Sequence, residues 1–303
     1  MKYFLAIDAG GTKTDFLLAD ETRELARVRS GTIKRMRTDE TTASENLERA
    51  LQHITCCTGI AMSQVTRTCI GTAGESVPLV ADWLRKELRE RIGGELILLG
   101  DVEIALDAAF QEGSGVLVLA GTGSNVAGRT EDGPITTAGG WGPMLSDQGS
   151  GHRIGHEALR TLFLSRDQGR DTLLLPAIQE FWKIATIELL IERANAIPSP
   201  DFSRLTEVVL RCAEQDDEVA QEVLNQQGKE LAHLVCLVIQ RIRQEPNHTD
   251  WNPTLAFAGS IMKNVPPVRD TLIAEVAREY PNIKVLPGVV DPLDGALWRA
   301  HRG

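Results

Sequence analysis

Two glycine-rich segments, each directly after a short apolar run, carry the residue types most suited to chemistry. Asp8-Ala9-Gly10-Gly11-Thr12-Lys13-Thr14 follows the apolar residues 4–7, and Gly121-Thr122-Gly123-Ser124 follows the run 116–120. Glycine lets backbone amides approach an anion closely, and neighbouring hydroxyls can donate to phosphate oxygens. The pair of loops predicts a nucleotide whose phosphate chain is held from two sides.

A third glycine turn, Ala256-Phe257-Ala258-Gly259-Ser260, lies after a predicted strand and before a predicted helix. This turn could seat an adenosine, although the motif is weak when taken alone.

Asp101 comes immediately after the apolar segment 96–99. A carboxylate at the carboxyl end of a strand projects towards the edge where open α/β sheets bind ligands. There it could accept a proton from a substrate hydroxyl, as the bases of phosphoryl-transfer enzymes do. The alternative is an N-cap for a helix over 102–109, and the two roles are compatible.

The segment 139–150 places three glycines around a tryptophan, in Gly139-Gly140-Trp141-Gly142, and continues to Asp147-Gln148-Gly149-Ser150. Such density of glycine indicates backbone pressed against a ligand, and an aromatic face suits the apolar side of a sugar ring. Asp147 could accept hydrogen bonds from sugar hydroxyls, or it could cap the helix expected from about residue 150.

Bulk composition excludes several classes of protein. The chain has 303 residues, enough for two domains, and its formal net charge of −10 argues against a nucleic-acid partner. No apolar run approaches the ~20 residues of a membrane span. Five cysteines without a CxxC pair, and a strand that begins near residue 3 without a signal peptide, predict a cytoplasmic protein.

Apolar periodicity predicts the same succession of strands and helices twice, the second time with a helical insertion. The predicted strands are 3–8, 14–20, 24–30, 66–70, 95–100, 115–121, 124–130, 254–258 and 283–286. The predicted helices are 39–58, 77–91, 150–165, 171–195, 201–214, 216–243, 267–279 and one from about 292. Asp132-Gly133 predicts a hairpin turn.

Taken together, the glycine motifs and the Gly-Gly-Trp-Gly segment resemble the N-acetylglucosamine kinase family, and the resemblance runs through Asp291-Pro292-Leu293-Asp294-Gly295-Ala296. That family lies within the BadF/BadG/BcrA/BcrD ATPase group of the sugar kinase–Hsp70–actin superfamily. The resemblance implies two ribonuclease-H-like (actin-like ATPase) α/β domains, each a mixed five-stranded sheet with flanking helices, and a cleft between them. We expect residues 1–110 with the C-terminal helix 290–303 in one domain, and 111–289 in the other.

The resemblance also implies a role for each matching residue. Asp101 matches the catalytic base, and Asp8 would orient Mg²⁺, through water. ATP would be bound by Asp8, Gly10, Gly11, Thr12, Lys13, Thr14, Gly121, Thr122, Gly123, Ala213, Ala258, Gly259 and Ser260. The sugar would be bound by Asn125, Gly140, Trp141 and Asp147. The expected activity is phosphorylation of the 6-OH of N-acetylglucosamine, glucosamine, N-acetylmuramic acid or a related sugar by ATP, in a homodimer.

One segment departs from that family. Its members carry an asparagine after the third strand, whereas this chain has Ser30-Gly31-Thr32-Ile33-Lys34-Arg35-Met36-Arg37. The three cations are either a solvated surface or, with Lys34 as a substrate contact, a pocket for an anionic substituent of the sugar.

Two other functions are compatible with the same fold. An ATPase that activates a dehydratase or reductase would carry a cluster-binding cysteine just before the Gly-Thr-Gly loop, where this chain has Val118, Leu119 and Ala120. A sugar-sensing regulator without catalysis would usually carry an added DNA-binding domain, for which the early first strand leaves no room.

Overall fold

The computed structural model describes every residue except Asp132, so the predicted hairpin turn lies partly outside the described residues. The described chain divides into two compact units. The first comprises Met1–Leu117, Gly128–Ile135 and Val290–Gly303, and the second comprises Val118–Ala127 and Thr136–Val289.

The first unit is built on a five-stranded sheet in the order β3-β2-β1-β4-β5. Its strands are β1 (Tyr3–Ala9), β2 (Lys13–Ala19), β3 (Glu24–Gly31), β4 (Val65–Thr72) and β5 (Glu95–Leu99). The first three strands are antiparallel neighbours, while β4 and β5 run parallel to β1. The carboxyl ends of β1, β4 and β5 therefore meet at one edge of the sheet.

Helices cover both faces of this sheet. They are α1 (Glu40–Thr58), α2 (Pro78–Arg91), α3 (Asp101–Phe110) and α11 (Pro292–Arg302). Leu47, Leu51 and Ile54 of α1 are buried at helical spacing in the core on one side of the sheet, as the periodicity predicts. Phe4, Leu17 and residues of α3 and α11 form the core on the other side.

The second sheet has the order β10-β9-β6-β7-β8. Its strands are β6 (Gly115–Ala120), β7 (Ser124–Arg129), β8 (Thr136–Gly139), β9 (Thr254–Ala258) and β10 (Lys284–Val285). The fully buried run Val116–Val118 explains why the approach to the second glycine loop reads as a continuous apolar strand.

The remaining helices belong to the second unit. They are α4 (Gly151–Asp167), α5 (Leu174–Trp182), α6 (Ile187–Ala194), α7 (Thr206–Ala213), α8 (Glu218–Arg243), α9 (Ser260–Asn264) and α10 (Pro266–Glu279). The single helix predicted over 171–195 is wrong. Lys183 takes a left-handed conformation that ends α5. The Thr186 side chain then accepts a hydrogen bond from the Leu189 N–H and so caps a new helix, α6.

The α/β fold with two mixed five-stranded sheets and flanking helices is confirmed. Among the described residues no helix is long and apolar enough to cross a membrane. All five cysteines are free.

Candidate active site

Asp8 lies in β1 among other acidic residues of the first unit. Asp15 faces it across the β1–β2 ladder, and Asp101 and Asp291 also act on it electrostatically. Burial, and then repulsion from these carboxylates, raises the pKa of Asp8 to about 7, and the charge of Lys13 opposes the shift. A bound cation would relieve both causes at once.

The first glycine loop is held from beneath by hydroxyl groups. The Thr32 hydroxyl donates to the Gly10 carbonyl over 2.7 Å, and the fully buried Thr14 hydroxyl accepts from the Ile33 backbone N–H over 3.2 Å. Thr12 and Lys13 are exposed at the turn itself. A Cβ at Gly10 would lie 3.0 Å from the Lys13 carbonyl oxygen, a tight contact that would require the turn to shift by a few tenths of an ångström.

Asp101 is the first residue of α3, at the carboxyl end of β5. The N-cap is Gly100, not Asp101, and the Asp101 carboxylate accepts from the Val102 backbone N–H over 2.9 Å. Burial raises the pKa of Asp101, while the charge of Lys34 and the Val102 hydrogen bond work in the opposite direction. Because both β1 and β5 end at the same edge of the sheet, Asp101 and the first glycine loop lie at that edge together.

The three cations after β3 have different surroundings. Lys34 acts on Asp101 through its charge. Arg35 donates to the Thr38 carbonyl over 3.0 Å and lies 6.0 Å from the centre of the Trp83 ring, so it supports the loop. Arg37 is exposed, and its Nε lies 3.7 Å from the point where a Cβ on Gly11 would be, so its side chain reaches the first glycine loop.

In the second unit, the second glycine loop is bonded to the start of α4. The Gly121 N–H donates to the Gly123 carbonyl over 2.8 Å, which closes a tight turn. The Gly121 carbonyl accepts from Gly151 N–H over 2.8 Å, and the Thr122 carbonyl from His152 N–H over 3.3 Å. The first N–H groups of α4, which have no partner within the helix, therefore hold the loop in place.

Asp147 lies directly beside this loop. It is buried, its φ is +64°, and its Oδ2 is 3.0 Å from the Cβ position of Gly123. Ser150, not Asp147, caps α4, because the Ser150 hydroxyl accepts from the Arg153 N–H. A left-handed conformation at a non-glycine residue is unfavourable by roughly 1–3 kcal/mol, and such strain concentrates at functional sites.

Asn125 and Gly140 are in close contact. A Cβ at Gly140 would lie 2.4 Å from Asn125 Nδ2, and the buried Asn125 Oδ1 has no hydrogen-bond partner among the described residues. Next to them, Trp141 is 74% exposed. An unpaired buried acceptor beside an exposed indole ring is an arrangement that a hydroxyl-bearing ring would satisfy.

The third glycine turn adjoins the second loop. Gly259 has a φ of +91°, and a Cβ there would lie 2.2 Å from the Ala120 carbonyl oxygen, so only glycine fits. The Ser260 hydroxyl lies 3.8 Å from the Cβ position of Gly121. Ala213 differs: it is buried at the end of α7, and its carbonyl accepts from the Gln221 side chain and Asp216 N–H.

The residues of the two glycine loops fit a nucleoside triphosphate. Each loop has glycine backbone N–H groups and a threonine hydroxyl, and both kinds of group bind phosphate oxygens. No group of three or more histidine, cysteine, aspartate or glutamate side chains suited to a metal ion occurs among the described residues. Asp8, which the resemblance assigns to Mg²⁺, is a buried carboxyl group with a raised pKa, and a bound cation would favour its ionised form.

Sequence reasoning missed Glu75 and the pair Met144–Leu145. Glu75 acts electrostatically on Asp101 from the turn after β4. Met144 and Leu145 are 90% and 81% exposed in the same segment as Trp141. The only available signal was the position of Glu75 after a buried strand, which a lone acidic residue in a turn does not make distinctive.

Comparison with known proteins places these features in a family. The N-acetylmuramic acid/N-acetylglucosamine kinase of Clostridium acetobutylicum is 28% identical over 98% of this chain and 97% of its own. The N-acetyl-D-glucosamine kinase of Dictyostelium discoideum is 27% identical, with the same coverage. A solved Chromobacterium violaceum structure, provisionally described as an N-acetylglucosamine kinase, shares the fold with a TM-score of 0.76, 22% identity and 98% coverage of both chains.

The model of one family matches residues 5–298, which include both glycine loops, Asp101 and the Trp141 segment. The chain belongs to the BadF/BadG/BcrA/BcrD ATPase family.

Proposed function

We propose that this chain transfers the γ-phosphoryl group of ATP to a hydroxyl of an amino sugar, the 6-OH of N-acetylglucosamine or of a close relative. The observation that carries the proposal is Asp101, a carboxylate at the end of β5 and on the same sheet edge as the first glycine loop. Two curated relatives, matched over nearly their whole length, are named as amino-sugar kinases.

Asp101 accepts the proton of the acceptor hydroxyl as that oxygen attacks the γ-phosphorus, and the bond to the β-phosphate oxygen breaks. The Lys34 charge and the Val102 N–H favour the ionised form of Asp101 against burial. Because Lys34 and the Val102 N–H offset part of the effect of burial, the Asp101 carboxylate can accept the proton of the acceptor hydroxyl in the transition state.

The glycine loops supply hydrogen bonds to the phosphates. Thr12 and Thr122 lie at the tips of the two loops, and their hydroxyls and the neighbouring N–H groups donate to phosphate oxygens. Asp8 would hold Mg²⁺ through water, and the ion would neutralise charge that develops on the transferred phosphoryl group. The homodimer and the cytoplasmic location stay predictions.

On the acceptor side, Asn125, Gly140, Trp141 and Asp147 bind the sugar. The unpaired Asn125 Oδ1 accepts a hydroxyl hydrogen, the buried Asp147 carboxylate accepts another, and the indole ring of Trp141 covers an apolar ring face.

Replacing Asp101 tests the proposal. Asp101→Asn keeps an oxygen for the Val102 N–H but loses the basic carboxylate, so we expect kcat to fall by about 10²–10⁴-fold with ATP affinity nearly unchanged. Sugar-dependent ADP release measures kcat, and a fluorescent ATP analogue measures binding. Asp82→Asn, at an exposed aspartate of α2, is the control and should have wild-type activity. Near-wild-type turnover of Asp101→Asn would remove Asp101 from the mechanism.

The acceptor is identified by an ADP-release screen over neutral, amino and acidic sugars. Lys34→Ala and Arg37→Ala should be tested in the same screen, because Arg35 is already bound by Thr38 and Trp83. If either variant loses activity on acidic sugars but not on neutral or amino sugars, the result supports an anion pocket. If acidic sugars are not preferred and the variants behave alike, that pocket does not exist.

A further inference from the structure

Glu75 lies in the turn between β4 and α2, at the active edge of the first sheet. In the order β3-β2-β1-β4-β5, strand β4 is the neighbour of both β1 and β5. The turn after β4 therefore lies between the first glycine loop, after β1, and Asp101, after β5. A hydrogen bond of 3.1 Å from the Thr72 hydroxyl to the Ala9 carbonyl joins the end of β4 to the start of that loop.

The turn has a defined conformation. Gly74 has a φ of +83°, and its carbonyl accepts from the Val77 N–H over 2.9 Å. The Cβ position of Gly74 is 3.7 Å from Met36 Sδ, so the segment after β3 packs on the same turn. These contacts fix the backbone of Glu75.

The Glu75 carboxyl group reaches the start of α3. Its carbon lies 3.6 Å, and its two oxygens 3.7 Å, from the Cβ position of Gly100, the residue before Asp101. Its charge acts on Asp101 in opposition to that of Lys34. Glu75 is half-buried, and within the part of the chain that the structure describes its carboxylate makes no hydrogen bond or ion pair.

A half-buried carboxylate without a protein partner is hydrogen-bonded to water, and a ligand that displaces this water must supply donors in its place. The phosphates of ATP, which occupy the neighbouring glycine loop in the proposed function, cannot supply them, because they are anionic and would be repelled. The hydroxyl groups of an acceptor sugar can supply them, and the sugar must reach Asp101 to react.

We propose that Glu75 is a specificity-determining residue that accepts a hydrogen bond from a hydroxyl or amino group of the acceptor sugar and disfavours acidic acceptors. This inference rests on the proposed function, because it assigns a further contact to the same acceptor. Because Glu75 adds a second carboxyl group beside Asp101, Lys34 alone does not make the surroundings of the base attractive to an anion.

The test measures KM and kcat of Glu75→Ala and Glu75→Gln with ATP, a neutral, an amino and an acidic sugar. Because a hydrogen bond to a charged group contributes strongly to binding, Glu75→Ala should raise the KM of neutral and amino sugars roughly 10–100-fold, with the KM of ATP within about 2-fold. Glu75→Gln keeps an acceptor oxygen without the charge. It should raise these KM values only a few-fold, and acidic sugars, measured as substrates or competitive inhibitors, should bind about 10-fold better relative to neutral ones.

Glu95→Gln is the matched control, because Glu95 is the first residue of the same strand β5, at the opposite edge of the sheet, where it pairs with Arg67. It should leave every KM unchanged. If Glu75→Ala fails to fold, Glu75→Gln decides alone. Unchanged sugar KM values, or equal changes for ATP and sugar, would overturn the role of Glu75. A wild-type enzyme inactive on every sugar would instead contradict the proposed function.

Discussion

At the scale of single residues, Asp8 is a carboxyl group whose ionisation destabilises the folded protein. Its pKa of about 7 lies well above the ordinary value of 3.8, because burial and the carboxylates of Asp101, Asp15 and Asp291 oppose its ionisation. Natural proteins commonly retain such groups where function requires them, and a cation held by Asp8 would remove the penalty when it binds.

The pH dependence of stability tests this state of Asp8. A carboxyl whose folded-state pKa is raised stabilises the fold only while it is protonated, so its contribution declines between about pH 4 and pH 7. The shift from 3.8 to about 7 corresponds to at most roughly 4 kcal/mol. We expect Asp8→Asn to stabilise the metal-free protein by about 2 kcal/mol more at pH 8 than at pH 5. Urea unfolding at both pH values measures the difference.

Magnesium provides the matching control. At pH 8, millimolar Mg²⁺ should raise the Tm of the wild type and leave Asp8→Asn unchanged, because binding to the folded state stabilises it by mass action. An equal Mg²⁺ response in both proteins would show that the ion binds elsewhere.

At the scale of elements, the position of Asp101 depends on how α3 is held. The Asp107 side chain of α3 is fully buried between Arg129 of β7, at 2.8 Å, and Arg299 of α11, at 2.6 Å. Helices α3 and α11 also pack without space for a side chain, since a Cβ at Gly295 would lie 1.8 Å from the Ile104 carbonyl oxygen. The helix that begins with the proposed base therefore has little freedom to move.

Replacing Asp107 should destabilise the protein strongly. Asp107→Ala leaves the nearly buried Arg129 guanidinium without a counter-charge, and breaking a buried pair in this way costs about 3–5 kcal/mol. Thermal and urea unfolding measure the loss. Glu112→Gln is the comparison, because Glu112 pairs with Arg302 between the same two helical segments but is 72% exposed, and it should cost less than about 1 kcal/mol. Similar losses in both variants would argue that burial does not matter here.

At the scale of the whole molecule, membership in an ATPase family leaves two uses of ATP to distinguish. A kinase should protect the γ-phosphoryl group from water until a sugar is bound, whereas an activator ATPase hydrolyses ATP without a sugar. The buried strand residues Val118 and Ala120, just before the second loop, provide no thiol for an iron–sulfur cluster.

We therefore expect ADP release to be at least about 100-fold slower without sugar than with the best sugar. The purified protein should contain no iron and show no absorbance band at about 400 nm. Coupled ADP assays and metal analysis make both measurements. Sugar-independent hydrolysis together with bound iron would favour the activator function.

How much of the structure can be predicted from the sequence depends on whether a feature is set by neighbouring residues or by residues far apart in the chain. Strands and most helices follow from local periodicity, as at Leu47 and Leu51 of α1. The break between α5 and α6 was missed because it depends on one left-handed residue, Lys183, for which the sequence gives no signal. The position of Asp101 at the end of β5 follows from the apolar run before it, whereas its catalytic role stays a prediction.

The cations after β3 show where such prediction stops. Lys34 and Arg35 are adjacent and equally charged in the sequence. Only tertiary contacts direct Arg35 to Trp83, far along the chain, and Lys34 towards Asp101. Glu75 escaped notice for the same reason, since its proximity to Gly100 arises from the pairing of β4 with β5.

The packing of α11 on α3 has a consequence for biosynthesis. Leu293, Ala296 and Ala300 complete a core that also contains Phe4 and Leu17, residues that are translated well before α11. Until α11 has left the ribosome, this core stays open and Asp107 lacks Arg299. One face of the first sheet is therefore uncovered while the residues between β5 and α11 are made, a period in which chaperones would have an apolar surface to bind.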